Sequence, residues 1–232
     1  MRQDYAGIRV LVTAGPTRES LDPVRYISNR STGRMGYAVA QAAAARGARV
    51  TLVTGPVSLL PLSGVDTVAV ETTQEMYDAV LARLPDNDVI IKAAAPADFR
   101  LEVVADKKIK KDGQDLTITL QPTPDIAAAV GAAKGAKILV AFAAETHDVI
   151  DYARRKIVAK NADLIVCNDV TAEGAGFEVE TNVVTLLYPD GRREALPLMQ
   201  KSEVAERILD AVRTLLNPSF RPKAESKPPP LL

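Results

Sequence analysis

Apolar residues occur in short unbroken runs, separated by longer stretches where they recur every third or fourth position. Ile8 to Thr13 reads IRVLVT and ends at Ala14-Gly15-Pro16, the pattern of a strand buried on both faces that opens into a loop. Runs of the same kind cover Val50 to Thr54, Asp66 to Val70, Asp88 to Ala93, Lys137 to Phe142 and Leu164 to Cys167. Between them lie segments that predict helices: Tyr37 to Ala45, closed by Gly47, then about Gln74 to Leu84, Pro124 to Ala133 and Val149 to Lys160. This alternation predicts an α/β, Rossmann-like doubly wound fold, with a mainly parallel sheet covered on both faces. The last third changes rhythm. Asn182 to Tyr188 and Glu194 to Leu198 flank Pro189-Asp190-Gly191, so a C-terminal antiparallel β-hairpin is expected. A helix over about Ser202 to Leu216 follows, with Val204, Ile208, Val212 and Leu215 at helical spacing. Residues 1–216 read as one domain, and residues 217–232, rich in Pro, Lys and Ser, as a disordered tail.

Charge and composition narrow the partners. The 29 basic and 29 acidic residues cancel, so no global field draws the chain to nucleic acid or to an anionic membrane. A single cysteine, Cys167, excludes an internal disulfide framework, and no run resembles a signal peptide or a spanning helix, so a cytoplasmic protein is expected. His147 and Cys167 cannot assemble a zinc site between them; any metal would be a hard ion held by oxygen, with magnesium the natural choice. Cys167, inside an apolar strand, reads as inert core, and His147 as polar decoration of a strand-to-helix turn.

Candidate chemistry gathers in a few segments. Gly15 to Gly36 reads GPTRESLDPVRYISNRSTGRMG, and its Ser31, Gly33 and Gly36 form an S-x-G-x-x-G pattern before a helix, where backbone N–H groups can meet a phosphate. Glycines in an ordinary βα turn would look the same, but a polar connection of about twenty residues is longer than such turns need. The nicotinamide fingerprint is missing, because the glycines stand far from strand one and strand two ends in Val53-Thr54-Gly55 without an acidic residue. Asp98 follows Ala94-Ala95-Pro96-Ala97 beyond a strand's carboxyl end, fitting either a loop cap or a ligand contact. Lys107, Lys108, Lys110 and Lys111 form a charge run that is either a solvated surface or an anion clamp, and no buried pattern spans Ala95 to Gln114, so that segment is a candidate flap. Lys156 and Lys160 share a helix face beside Arg154 and Arg155, and Phe142 ends a strand where a ring packs in the core or stacks on a base.

In the segments GPTRESLDPVRYISNRSTGRMG, KAAAPADFR, KKIKK, PTPDIA and AFAAETHDVIDYARRKIVAKNADLIVCND the chain resembles phosphopantothenoylcysteine synthetase, the ligase half of the bacterial bifunctional coenzyme A biosynthesis protein. The resemblance implies a phosphopantothenate–cysteine ligase that activates 4'-phosphopantothenate with CTP. An acyl-cytidylate and pyrophosphate result, and amide formation with L-cysteine then releases CMP. It implies CTP as cosubstrate and Mg2+ as cofactor; no side-chain pattern by itself reads cytosine. Asn29 is implied to contact the acyl-nucleotidyl intermediate, its amide donating to the oxygen that gains charge. Lys108 is implied to be the catalytic lysine that neutralises the leaving pyrophosphate. Nucleotide contacts are implied at Gly15, Ser31, Gly33, Gly36, Lys92, Ala93, Ala94, Asp98, Lys108, Pro124, Asp125, Ile126, Ala127, Phe142, Lys156 and Lys160. For Pro124 to Ala127 the attraction is the N–H groups that begin a helix. Family members usually pair as homodimers, with Asn182 to Leu198 as the expected contact region, and a phosphopantothenoylcysteine decarboxylase domain is an expected companion, fused or separate. Ser20 stands where many relatives have proline, and Arg34 replaces a commoner lysine. A nicotinamide-dependent oxidoreductase and a noncatalytic nucleotide-binding module remain as alternatives.

Overall fold

A computed structural model of the protein describes residues 2–111, 113, 115–145, 155–169, 174, 176 and 179–217. His147, the expected helix start at Val149 and the tail beyond residue 217 lie outside the described residues. In chain order, β1 (Arg9–Ala14) leads to a small antiparallel pair, β2 (Arg18–Ser20) and β3 (Tyr26–Ser28), and then to α1 (Arg34–Ala45). Next come β4 (Arg49–Thr54), β5 (Asp66–Ala69), α2 (Thr73–Arg83) and β6 (Val89–Lys92). A second small pair, β7 (Phe99–Leu101) and β8 (Leu120–Pro122), precedes α3 (Ile126–Ala133). The chain continues through β9 (Ile138–Glu145), α4 (155–159), β10 (Leu164–Asp169), β11 (Thr181–Leu187), β12 (Arg193–Gln200) and α5 (Lys201–Leu215).

Eight strands form one sheet in the order β12-β11-β10-β9-β6-β1-β4-β5. All neighbours from β10 to β5 are parallel, while β11 and β12 join antiparallel. The continuous apolar runs place alternate residues on opposite faces. Val10, Val12 and Ala14 of β1 enter one core with α1 and α5; Leu11 enters another that also contains Met76 of α2, Val130 of α3 and Ile157 of α4. Both faces are therefore covered, as the doubly wound reading expects. Strand order reverses at β1, whose neighbours are β4 and β6, and the crevice beyond the carboxyl ends of β1 and β6 is the usual ligand position of such sheets.

Four local features depart from the sequence reading. The polar loop after β1 contains β2 and β3. α1 begins at Arg34 rather than Tyr37, because Gly33 turns the chain at φ 80°, a conformation that favours glycine. The candidate flap is not structureless: it contains β7, and Glu102 N–H donates to Thr119 O at 3.2 Å while Ala105 N–H donates to Leu21 O at 3.2 Å. The C-terminal hairpin is present, but β11 pairs with β10, so β12 is the edge of the sheet on that side.

Candidate functional site

A cavity of about 610 Å3 opens at the switch point. Its floor is the start of α1. Gly33 is the N-cap residue, no side chain caps this end and no acidic residue lies in the first turn, so the positive end of the helix faces the cavity. Gly36 permits the approach: a Cβ there would sit 2.6 Å from Ala14 Cβ and 2.8 Å from Thr13 O. Gly15 lies behind this floor and outside the lining, and its carbonyl accepts from Ala95 N at 2.9 Å.

One wall is the loop after β6, fixed by a buried polar network. Thr17 Oγ1 accepts from Ala97 N at 2.9 Å and meets Thr73 Oγ1 at 2.8 Å, while Thr123 Oγ1 donates to Ala97 O at 2.6 Å. Buried Glu19 accepts from Thr73 N at 2.8 Å. Asn29 is held by the same wall, its Nδ2 donating to Ala95 O at 3.0 Å and Pro96 O at 2.9 Å. Both amide hydrogens are thereby engaged, and the two facing carbonyls can only accept, which fixes which end of the amide is nitrogen. The oxygen Oδ1 is the end left to meet a ligand, so in this arrangement Asn29 offers an acceptor where a donor was expected.

Asn29, Ser31, Gly33, Gly36, Lys92, Ala93, Ala94, Asp98, Phe142, Lys156 and Lys160 all line the cavity. Lys108, Pro124, Asp125, Ile126 and Ala127 do not. Lys108 is exposed on the excursion between β7 and β8. Asp125 is itself the N-cap of α3: its Oδ1 accepts from Ala128 N at 3.0 Å, so the helix end expected to offer N–H groups is occupied by this carboxylate. Its Oδ2 lies 3.5 Å from Lys160 Nζ. Burial works to raise the Asp125 pKa, but the Ala128 N–H, Lys160 and Lys92 outweigh it and lower the value.

Cations dominate the lining. Arg30, Arg34, Lys92, Lys156, Lys160 and Lys201 face a single carboxylate, Asp98, among the described residues. Burial pushes the Lys92 ammonium down to about 8; Lys160 and Lys156 act the same way, against Asp125 and Asp98. Lys201 is likewise pushed down to about 8, by burial and then by Arg34. Lys201 and Asn168 were not singled out in the sequence, and Arg34 and Asn182 were not read there as ligand contacts. Lys201 donates to the carbonyls of Gly176 and Val179, and Arg34 pairs with Glu180. Arg34 Nε and Asn168 Oδ1 are buried without a protein hydrogen-bond partner among the described residues. A cation at the first position of α5, against the helix dipole, is the signal that marks Lys201 in the sequence. Asn168 is marked by its place near the carboxyl end of a buried strand.

Metal donors are sparse. No group of three or more His, Cys, Asp or Glu side chains that could hold a metal occurs among the described residues. Asp98 is the one carboxylate in the lining among the described residues, a donor set that fits Mg2+ only when the ion shares its coordination with substrate phosphates. No described helix is long and apolar enough to cross a membrane.

Comparison with known proteins gives the family and the fold. The chain is 50% identical over 210 residues to the coenzyme A biosynthesis bifunctional protein CoaBC of Vibrio vulnificus (strain YJ016), covering 89% of this chain and 52% of that protein. It is 49% identical over 210 residues to CoaBC of Bacillus subtilis (strain 168), covering 90% and 52%. The chain thus spans about half the length of the curated relatives it matches. A crystal structure of the C-terminal domain of CoaBC superposes with a TM-score of 0.80 at 42% identity, covering 92% of this chain and 98% of that one. A Cab2 complex with phosphopantothenate-cysteine shares the fold, with a TM-score of 0.73 at 16% identity over 91% of this chain and 87% of that one. Residues 5–216 match the family model described as the DNA/pantothenate metabolism flavoprotein C-terminal domain, and the chain belongs to that family.

Proposed function

We propose that the chain is a phosphopantothenate–cysteine ligase, activating 4'-phosphopantothenate with CTP to an acyl-cytidylate and then forming the amide with L-cysteine. The observation that carries this reading is the cavity lining: among the described residues six cations against one carboxylate, beside the uncapped start of α1, suit two phosphorylated substrates held together. The nicotinamide alternative has little support, since β4 ends at Thr54 with no acidic side chain after it. A noncatalytic nucleotide-binding module would carry a cationic cavity too, and is told apart from a ligase by whether a cysteine-dependent amide forms.

The residues divide the chemistry between them. The N–H groups at Gly33 to Gly36 and the surrounding cations would hold phosphates and balance the charge left on pyrophosphate. Mg2+, when bound with the triphosphate through Asp98, would supply further charge neutralisation. Asn29 Oδ1 would accept from the attacking amine of cysteine and orient its lone pair toward the acyl carbon. Where the ion does not occupy it, the Asp98 carboxylate would accept hydrogen bonds from the hydroxyls of a ribose. Phe142 lines the same cavity and would contact the base, and the choice of cytosine rests on the family resemblance alone.

A homodimer is part of the proposal, at a different surface from the C-terminal hairpin. β12, its free edge, carries Pro197, which interrupts a ladder and protects an edge from pairing. Exposed apolar side chains cluster instead around the two small sheets: Val24, Tyr26, Phe99, Leu116, Ile118 and Leu120. Covering such a patch with a second copy would remove it from water. The relatives are bifunctional, so a decarboxylase partner domain is also proposed. The test of the ligase reading is nucleotide-dependent pyrophosphate release that requires 4'-phosphopantothenate, followed by a cysteine-dependent amide product.

A further inference from the structure

The arm that carries Asn29 also carries a carboxylate with no part in the proposed reaction. Asp22 follows β2, and its side chain has no exposed surface. Its oxygens accept five hydrogen bonds. Oδ1 takes the N–H groups of Val24 and Arg25, both at 2.9 Å. Oδ2 takes Arg25 Nε at 3.1 Å, Arg25 Nη2 at 2.6 Å and the N–H of Ile109 at 3.1 Å. Arg25 Nη2 also donates to Ile109 O at 3.0 Å. One ion pair therefore grips both backbone polar groups of Ile109, the residue between Lys107-Lys108 and Lys110-Lys111. The Ala105 to Leu21 backbone bond ties the same two loops a few residues away.

Apolar packing does not explain this joint. The four lysines are exposed, and Arg25 keeps 43% of its side-chain surface in water. Enclosing a carboxylate adds little net stability compared with apolar contacts, but a saturated, charge-assisted pair holds one geometry and rejects others. The geometry held here connects two functional candidates: from Arg25 the chain runs through β3 directly to Asn29, and from Ile109 it is one residue to Lys108.

We propose that Asp22 and Arg25 are positioning residues, forming a joint that fixes the lysine run 107–111 relative to Asn29. The kinetic consequence rests on the ligase reading; the mechanical one does not. Without the joint, the lysines would sample many positions, and Lys108 would lose the preorganisation that charge stabilisation in the transition state requires.

Trypsin cleavage within residues 107–111 of the full chain, read by mass, reports how often the run leaves the joint. Loss of one charge-assisted hydrogen bond corresponds to roughly tenfold or more in the opening equilibrium. Asp22→Asn should therefore speed this cleavage by about tenfold, with the circular-dichroism melt of the domain retained. Ile109→Pro removes one N–H donor while leaving the ion pair, and should give the same acceleration at the bonds after Lys110 and Lys111 even if Asp22→Asn fails to fold, the bond after Lys108 being resistant to trypsin once proline follows it. In turnover assays, whichever variant folds should lose roughly 10- to 100-fold in kcat, with nucleotide KM within about threefold. Adding Lys108→Met to that variant should cost little more, because the lysine is already displaced. Unchanged cleavage in the folded variants overturns the joint, and faster cleavage with unchanged kcat overturns its positioning role. If the unmodified chain shows no ligase turnover, the proposed function fails, while the cleavage rates still decide whether the joint exists.

Discussion

Lys92 and Lys201 give the cavity a pH response whose sign can be worked out. Both ammonium groups have folded pKa values pushed from 10.5 to about 8, so between these values the unfolded chain binds more protons and stability rises with pH. A bound polyanion acts in the other direction, restoring the charged form. Nucleotide binding near pH 8.5 should take up protons, and its affinity should fall as pH rises through about 8 to 9. Calorimetry in two buffers of different ionisation enthalpy measures the uptake; no proton linkage would remove these lysines from the ligand's surroundings. Asn29 supports a second expectation. In Asn29→Asp a carboxylate would face the carbonyls of Ala95 and Pro96, 3.0 and 2.9 Å from the present nitrogen, and repulsion would swing it away. Pyrophosphate release should stay within about tenfold of the parent, while amide formation falls by roughly 100-fold or more. Quenched-flow product analysis separates the two steps, and normal amide formation would refute the role of Asn29. The family resemblance singles out this residue in the sequence; which end of its amide faces the cavity was not legible there, because that depends on two carbonyls 66 and 67 residues away.

Among the elements, α1 would bear most of the proposed phosphate contacts. Gly36→Ala would drive a Cβ against Ala14 Cβ and Thr13 O, at 2.6 and 2.8 Å, so the helix start must shift from β1. Destabilisation of about 1–3 kcal/mol and a weakened affinity for inorganic triphosphate are expected, read by thermal melts and calorimetry. Unchanged affinity would show that the helix end does not hold phosphate. The parallel strands and helices were readable because runs buried on both faces leave a strong apolar signal. β2, β3, β7 and β8 were not, being three-residue strands whose side chains are partly exposed, with β7 and β8 paired across a long excursion. The misjudged end of α3 has a similar origin: Pro124-Asp125 reads as an open helix start, yet Asp125 caps it and contacts Lys160 on a distant segment.

At the scale of the whole molecule, the sheet order brings the α1 loop, the loop after β6 and the cations of α4 and α5 to one crevice. Sequence spacing alone could not place Lys201 there, because the C-terminal hairpin had first to join the parallel sheet through β10. The apolar patch on the small sheets leads to an expectation about mass. The protein should sediment as a dimer, and charges introduced by Tyr26→Lys with Phe99→Glu should yield a folded monomer. A monomeric parent would end the pairing proposal. The most direct measurement is pyrophosphate release from this chain with Mg2+ and either CTP or ATP, with and without 4'-phosphopantothenate, then with L-cysteine added. CTP-dependent release that requires 4'-phosphopantothenate, followed by a cysteine-dependent amide, is the predicted result. ATP preference would overturn only the choice of base, whereas no release with either nucleotide would contradict the ligase reading of the cavity.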